Sequence, residues 1–111
     1  MRHVTKPYLI FAATSLALVL QASAGLAQGP SERGRMLLND YCARCHAIGK
    51  SGRSRHPAAP PFRVLGRSFN LDHFARDLER GLTPGHPDMP AFKFDQDDAR
   101  AVAAYMLTIQ E

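Results

Sequence analysis

Two thiols and an imidazole fall within five residues, Cys42-Ala43-Arg44-Cys45-His46. If this stretch is helical, thiols three residues apart fall on one face, with the imidazole directly after them. This C-x-x-C-H order is the attachment signal for a c-type haem. Each thiol can form a thioether to one vinyl group, and His46 is then carried under the iron as its proximal ligand. Other uses of the pair fit less well. A thioredoxin-like dithiol wants a βαβ setting, which the chain does not offer. Cys42 and Cys45 are the only cysteines, so a zinc site here would need a fourth ligand or a water. A disulfide would close a very short loop and restrict the unfolded chain little.

An iron held by His46 leaves one axial position for Met36, Met89, Met106, His56, His73 or His86. Met106 sits on the apolar stripe of the last expected helix and reads as packing. Met36 precedes the attachment residues by too little chain to reach the opposite face. Met89 lies far along the chain in a loop stiffened by Pro84, Pro87 and Pro90, directly between Asp88 and Pro90. Such a loop places a soft thioether without help from helix geometry, and Met89 is the expected distal ligand. His86, in the same loop, is its rival, and a second imidazole would give a lower potential than a methionine. His56 and His73 read as surface histidines.

The elements that must position these groups are short. Arg2, His3 and Lys6 precede an uncharged, mostly apolar run, Tyr8 to Leu20, followed by Ala22-Ser23-Ala24 and Gly25-Leu26-Ala27. That is the layout of a secretory signal peptide. Cleavage after Ala24 or Ala27 suits the pattern, and Ala27 is favoured, giving a leader at 1–27 and a mature domain at 28–111. The alternative is a retained anchor, for which the apolar run is short against the ~20 residues of a spanning helix. Removing the leader takes Arg2 and Lys6 and lowers the formal charge from +4 to +2. A domain this small builds only a modest core and often needs a staple, which a covalent haem would be. Export to an oxidising compartment also requires the thiols to be accounted for, and two thioethers account for them.

Ser31 is the expected N-cap of a helix from about Glu32 to Cys42, with Met36, Leu37 and Tyr41 on an apolar side. Gly34 inside it weakens the helix and implies close approach of another backbone. Gly49 to Phe62 is loop, rich in glycine and proline. Asn70 caps a helix from Leu71 to Arg80, and Gly81 ends it. Leu82 to Phe94 is a second loop, where the prolines forbid helix or central strand. Asp95 caps a last helix whose stripe is Ala99, Val102, Ala103, Met106 and Ile109, with Tyr105 beside it. No strand pair, internal repeat or low-complexity tract is visible.

From about Ser31 to Gln110 the chain resembles the class I monohaem cytochromes c of bacteria. C-A-R-C-H at 42–46 is similar to the family's attachment site, and D-M-P-A-F at 88–92 to its methionine-ligand loop. Gly34 and Leu38 resemble the N-terminal helix contacts, although an aromatic is commoner where Leu38 stands. Val102 and Tyr105 resemble the residues that cross them. Pro60, with Phe62 two residues on, resembles the proline whose carbonyl accepts a hydrogen bond from the proximal imidazole, and Pro61 is the rival for that place. The loop before it is longer than in compact members. The resemblance implies an all-α fold of three to five short helices around one covalently bound haem c, and a periplasmic electron carrier.

Two strong-field axial ligands leave no open position on the iron, which points to electron exchange rather than substrate chemistry. The chain shows no Ser/His/Asp set, no carboxylate pair in a plausible pocket and no Gly-rich phosphate loop, so no enzyme or small-molecule substrate is expected. Arg44, Lys50, Arg53, Arg55, Arg63 and Arg67 fall in a stretch, Tyr41 to Leu71, that holds no Asp or Glu. A basic border of this kind steers a protein onto acidic docking surfaces of redox partners, such as a membrane-bound respiratory complex. The alternative is a solvated loop without a partner. The charge is not a nucleic-acid signal, because basic–aromatic interleaving is lacking. Three functions compete: a free carrier between a respiratory or dehydrogenase donor and an oxidase-type acceptor, a dedicated haem subunit of a dehydrogenase or oxidase complex, and a peroxidase-like or gas-sensing haem with a displaceable Met89.

Overall fold

The computed structural model describes residues 29–83 and 85–111, and the leader expected at 1–27 lies outside them. Among the described residues the chain forms three α-helices and one 3-10 helix. Helix α1 is Pro30–Tyr41, the 3-10 helix is Phe62–Arg67, α2 is Leu71–Arg80 and α3 is Gln96–Ile109. None of the described helices is long and apolar enough to cross a membrane. The all-α expectation holds, with the helix count inside the expected range.

Helix α1 starts earlier than the Ser31 cap would have it. Gly29 is the N-cap and Pro30 the first helical residue. Proline suits that position because its φ is already helical and it lacks an N–H that would go unpaired there. Ser31 is therefore inside the helix and caps nothing. Helix α2 begins as the sequence implies: Asn70 Oδ1 accepts from the backbone N–H groups of Asp72 at 2.9 Å and His73 at 3.1 Å. It ends at Gly81, whose φ of +101° is open to glycine and costly to other residues. Helix α3 begins at Asp95, whose Oδ1 accepts from the Asp98 N–H at 2.8 Å.

Helices α1 and α3 cross at Gly34. A Cβ there would sit 1.9 Å from the Ala101 carbonyl oxygen and 3.0 Å from the Tyr105 Cβ, so only glycine lets the backbones meet. An Arg33–Asp98 ion pair bridges the same crossing. Leu38, Val102 and Met106 are almost wholly buried at its centre. Leu71, Ala75 and Leu78 bring α2 onto the same core.

The 3-10 helix is an element that periodicity did not indicate. Gln110, just past α3, holds it: its Oε1 accepts from the Gly66 N–H at 2.7 Å, and its Nε2 donates to the Phe62 carbonyl at 3.0 Å. The Glu111 N–H adds a bond to the Arg63 carbonyl at 3.0 Å. The second loop is closed at its neck by one antiparallel bridge between Leu82 and Phe92, with Leu82 N–H donating to Phe92 O at 2.8 Å. Met89 lies inside that closed loop.

Candidate functional site

The attachment residues continue the end of α1 as a hydrogen-bonded turn. Cys42 and Ala43 N–H groups both donate to the Leu38 carbonyl, and the N–H groups of Cys45 and His46 both donate to the Cys42 carbonyl. These bonds place the two sulfurs and the imidazole on successive steps of one turn. Both cysteines are unpaired thiols and half-buried. Burial, with Cys45 beside it, pushes the Cys42 thiol up to about 12. A thiol so protonated at neutral pH is a poor thiolate nucleophile, which argues against the dithiol-exchange reading.

His46 is the one buried polar residue among those described, 9% exposed. Its Nδ1 lies 2.8 Å from the carbonyl oxygen of Pro60. A carbonyl only accepts, so Nδ1 carries the ring proton and Nε2 is left with its lone pair. The Phe62 ring packs against the imidazole with centroids 4.6 Å apart. Fixing one ring nitrogen on a carbonyl and leaving the other for a metal is the usual way a protein orients a histidine ligand.

The loop after His46 is tied down at several points. Cys45 O accepts from His56 N–H at 3.1 Å, and Ala47 O from Phe62 N–H at 2.9 Å. Ala47 N–H donates to Ser54 Oγ at 3.0 Å. Tyr105 of α3 donates its hydroxyl proton to the Ile48 carbonyl at 2.9 Å. Sequence reasoning did not single out Ser54 or the hydroxyl of Tyr105. The signal for Tyr105 was a phenol beside an apolar stripe, a setting in which the hydroxyl needs a partner.

Met89 is half-buried, and its N–H donates to the His86 carbonyl at 3.1 Å. Its loop is drawn to the attachment turn through His56, whose Nε2 lies 3.2 Å from Asp88 Oδ2. Tyr41, next to Cys42, meets Phe92 and Phe94 edge-on at centroid distances of 6.3 and 5.4 Å. Met106 is fully buried among core side chains, and Met36 is 39% exposed. Two free thiols on one turn and an imidazole with one nitrogen committed and one free make a donor set that fits haem c.

The basic stretch divides in two. Arg63 and Arg67 both reach the Glu111 carboxylate, at 3.1 and 3.7 Å. Arg44, Lys50, Arg53 and Arg55 are exposed, and among the described residues no carboxylate pairs with them.

A family model described as cytochrome C oxidase, cbb3-type, subunit III, matches residues 29–106. A relative named cytochrome c-552, from Bradyrhizobium diazoefficiens, is 29% identical over 91 residues. That alignment spans 82% of this chain and 85% of the relative. No solved structure matches.

Proposed function

This chain belongs to the family described as cytochrome C oxidase, cbb3-type, subunit III, and from that premise we propose a periplasmic one-electron carrier with His46 and Met89 as its two iron ligands. As a cytochrome c it carries covalent haem c with iron and takes part in electron transfer. When bound, the haem supplies reversible one-electron exchange at its iron. Cys42 and Cys45 would hold the ring by thioethers. His46 offers Nε2 to the metal while its Nδ1–H donates to Pro60 O, which fixes the ring plane and makes the free nitrogen more basic. The buried Phe62 ring packs against that imidazole. Met89 offers a thioether, a ligand that raises the potential.

The observation that carries this reading is the committed Nδ1 of His46 on the same turn as two unpaired thiols. It is reinforced by the closed neck of the loop that bears Met89. Were His46 and Met89 both to hold the iron, oxygen and peroxide would find no open site, and the chain would exchange electrons without enzymatic turnover. We place residues 1–27 as the leader and residues 28–111 as the mature domain in the periplasm. Arg44, Lys50, Arg53 and Arg55 would face an acidic surface on a redox partner.

A dedicated haem subunit of a respiratory oxidase is the second reading, favoured by the description of the family itself. The two differ in how long the partner stays. Purification in high salt separates them: a subunit remains at one-to-one yield with the complex, and a carrier washes off.

Visible absorption of the haem-loaded protein tests the ligand pair. The oxidised protein should show the weak far-red band of sulfur-to-iron charge transfer, and the reduced protein should bind carbon monoxide slowly. Met89→Ala should abolish the band, open the iron to carbon monoxide and lower the potential. A band that survives this substitution removes Met89 from the iron.

A further inference from the structure

His56, His86 and Asp88 take no part in the proposed haem ligation, yet they converge on one point. One ligand atom from each lies within 4.8 Å of the others. His56 Nε2 is 3.2 Å from Asp88 Oδ2, and His86 Nδ1 is 3.8 Å from the same oxygen. A tetrahedral ion with bonds of about 2.0–2.1 Å sets its ligand atoms roughly 3.3 Å apart, so these spacings are close to two edges of such a shell. We propose that His56, His86 and Asp88 form a binding site for a late divalent transition metal, Zn2+ or Cu2+, separate from the haem iron.

The donor chemistry selects the ion. Two imidazoles and one carboxylate suit zinc and copper, whereas magnesium and calcium want oxygen ligands and usually more of them. His86 and Asp88 are exposed and His56 is half-buried, so water has access to the fourth position, as in open zinc sites with three protein ligands.

The protons can be followed. The Ala58 N–H donates to His56 Nδ1 at 3.1 Å, so the ring's own proton sits on Nε2, toward Asp88. The ion takes the place of that proton, which moves to Nδ1, and the Ala58 contact opens. His86 Nδ1 accepts from the Asp88 N–H at 3.2 Å and is already unprotonated. Binding there changes no tautomer and displaces only that contact.

An ion at this point would clasp two loops together. His56 belongs to the loop after the attachment turn, where its N–H holds the Cys45 carbonyl, while His86 and Asp88 belong to the loop of Met89. Without an ion the chain already brings the loops together through His56 and Asp88. The edge-to-face rings of His56 and His86, with centroids 5.4 Å apart, complete the cluster.

The test is calorimetric titration of metal-stripped, haem-loaded protein with Zn2+. One ion per chain should bind, Mg2+ should give no heat, and hydrogen exchange in peptides covering 50–60 and 85–90 should slow when zinc is added. His56→Gln and His86→Gln should each weaken zinc binding at least tenfold, while His73→Gln leaves it unchanged. His86→Gln decides the matter if His56→Gln disturbs its loop. Absence of zinc binding overturns the site, as does an affinity that His86→Gln alters less than twofold. A changed haem spectrum in metal-free His86→Gln would put His86 on the iron and overturn it too. That outcome is distinct from failure of the Met89 assignment, which Met89→Ala reads directly.

Discussion

At the scale of single residues, the attachment turn depends on backbone carbonyls that are each given a donor. Tyr105 is the clearest case, because its hydroxyl crosses from α3 to the Ile48 carbonyl, two residues after His46. Tyr105→Phe keeps the ring and removes the donor, so the half-buried carbonyl loses its partner. Losing one such bond costs about 1–2 kcal/mol. Guanidinium unfolding of the haem-loaded variant should show a lower midpoint with an unchanged slope. An unchanged midpoint would mean that water replaces the phenol without loss. This bond also marks the limit of sequence reading for the site. The spacing of Cys42, Cys45 and His46 is imposed by covalent chemistry and is visible in one dimension. The acceptor for His46 is a main-chain oxygen, which carries no side-chain signature, and both Pro60 and Pro61 satisfy the spacing. Only the course of the loop brings the Pro60 oxygen to 2.8 Å.

Among the elements, the crossing of α1 and α3 sets the frame on which the attachment turn sits. It is readable at Gly34, where a residue poor for helix stands inside a helix and so implies close backbone approach. The caps at Asn70 and Asp95 are readable for a similar reason, since each is a short polar side chain just ahead of an apolar period. The start of α1 is less so: Ser31 is a good cap by type, but Pro30 before it already has helical φ and extends the helix past it. The 3-10 helix was missed because three residues per turn over so short a run leaves little periodic pattern. Its anchors, Gln110 and Glu111, lie more than 40 residues away in sequence. Gly34→Ala tests the frame. The added methyl would gain about 1 kcal/mol of helix propensity. It would also overlap the Ala101 carbonyl, an atom fixed within α3, and forcing the helices apart costs about 3 kcal/mol or more. The second effect wins, and the variant should unfold at markedly lower denaturant than the parent. Equal stability would show that α1 and α3 slide to a new register at no cost.

For the molecule as a whole, the question is whether the helices could hold together without a covalently attached haem. Among the described residues, four of the eleven buried apolar ones are alanines, Ala75, Ala99, Ala101 and Ala103, which contribute little area each. The larger ones, Leu38, Phe62, Leu71, Leu78, Val102, Met106 and Ile109, gather where α1, α2, α3 and the 3-10 helix meet. The loop of Met89 leans instead on a single bridge at its neck and on the exposed pairing of Asp88 with His56. A domain this small buries only a modest core, with few large apolar side chains, so a covalent staple matters to its stability. Cys42→Ser combined with Cys45→Ser removes both thioethers while keeping side chains of nearly the same size. The resulting chain should lack a cooperative thermal transition near room temperature, with helical ellipticity well below that of the haem-loaded parent. Helix α1 and the turn after it should be lost first, because the thioethers join that turn directly to the ring. A serine variant that unfolds cooperatively near the parent's midpoint would show that the α1–α3 crossing suffices alone, and that the haem serves the redox chemistry without serving the fold.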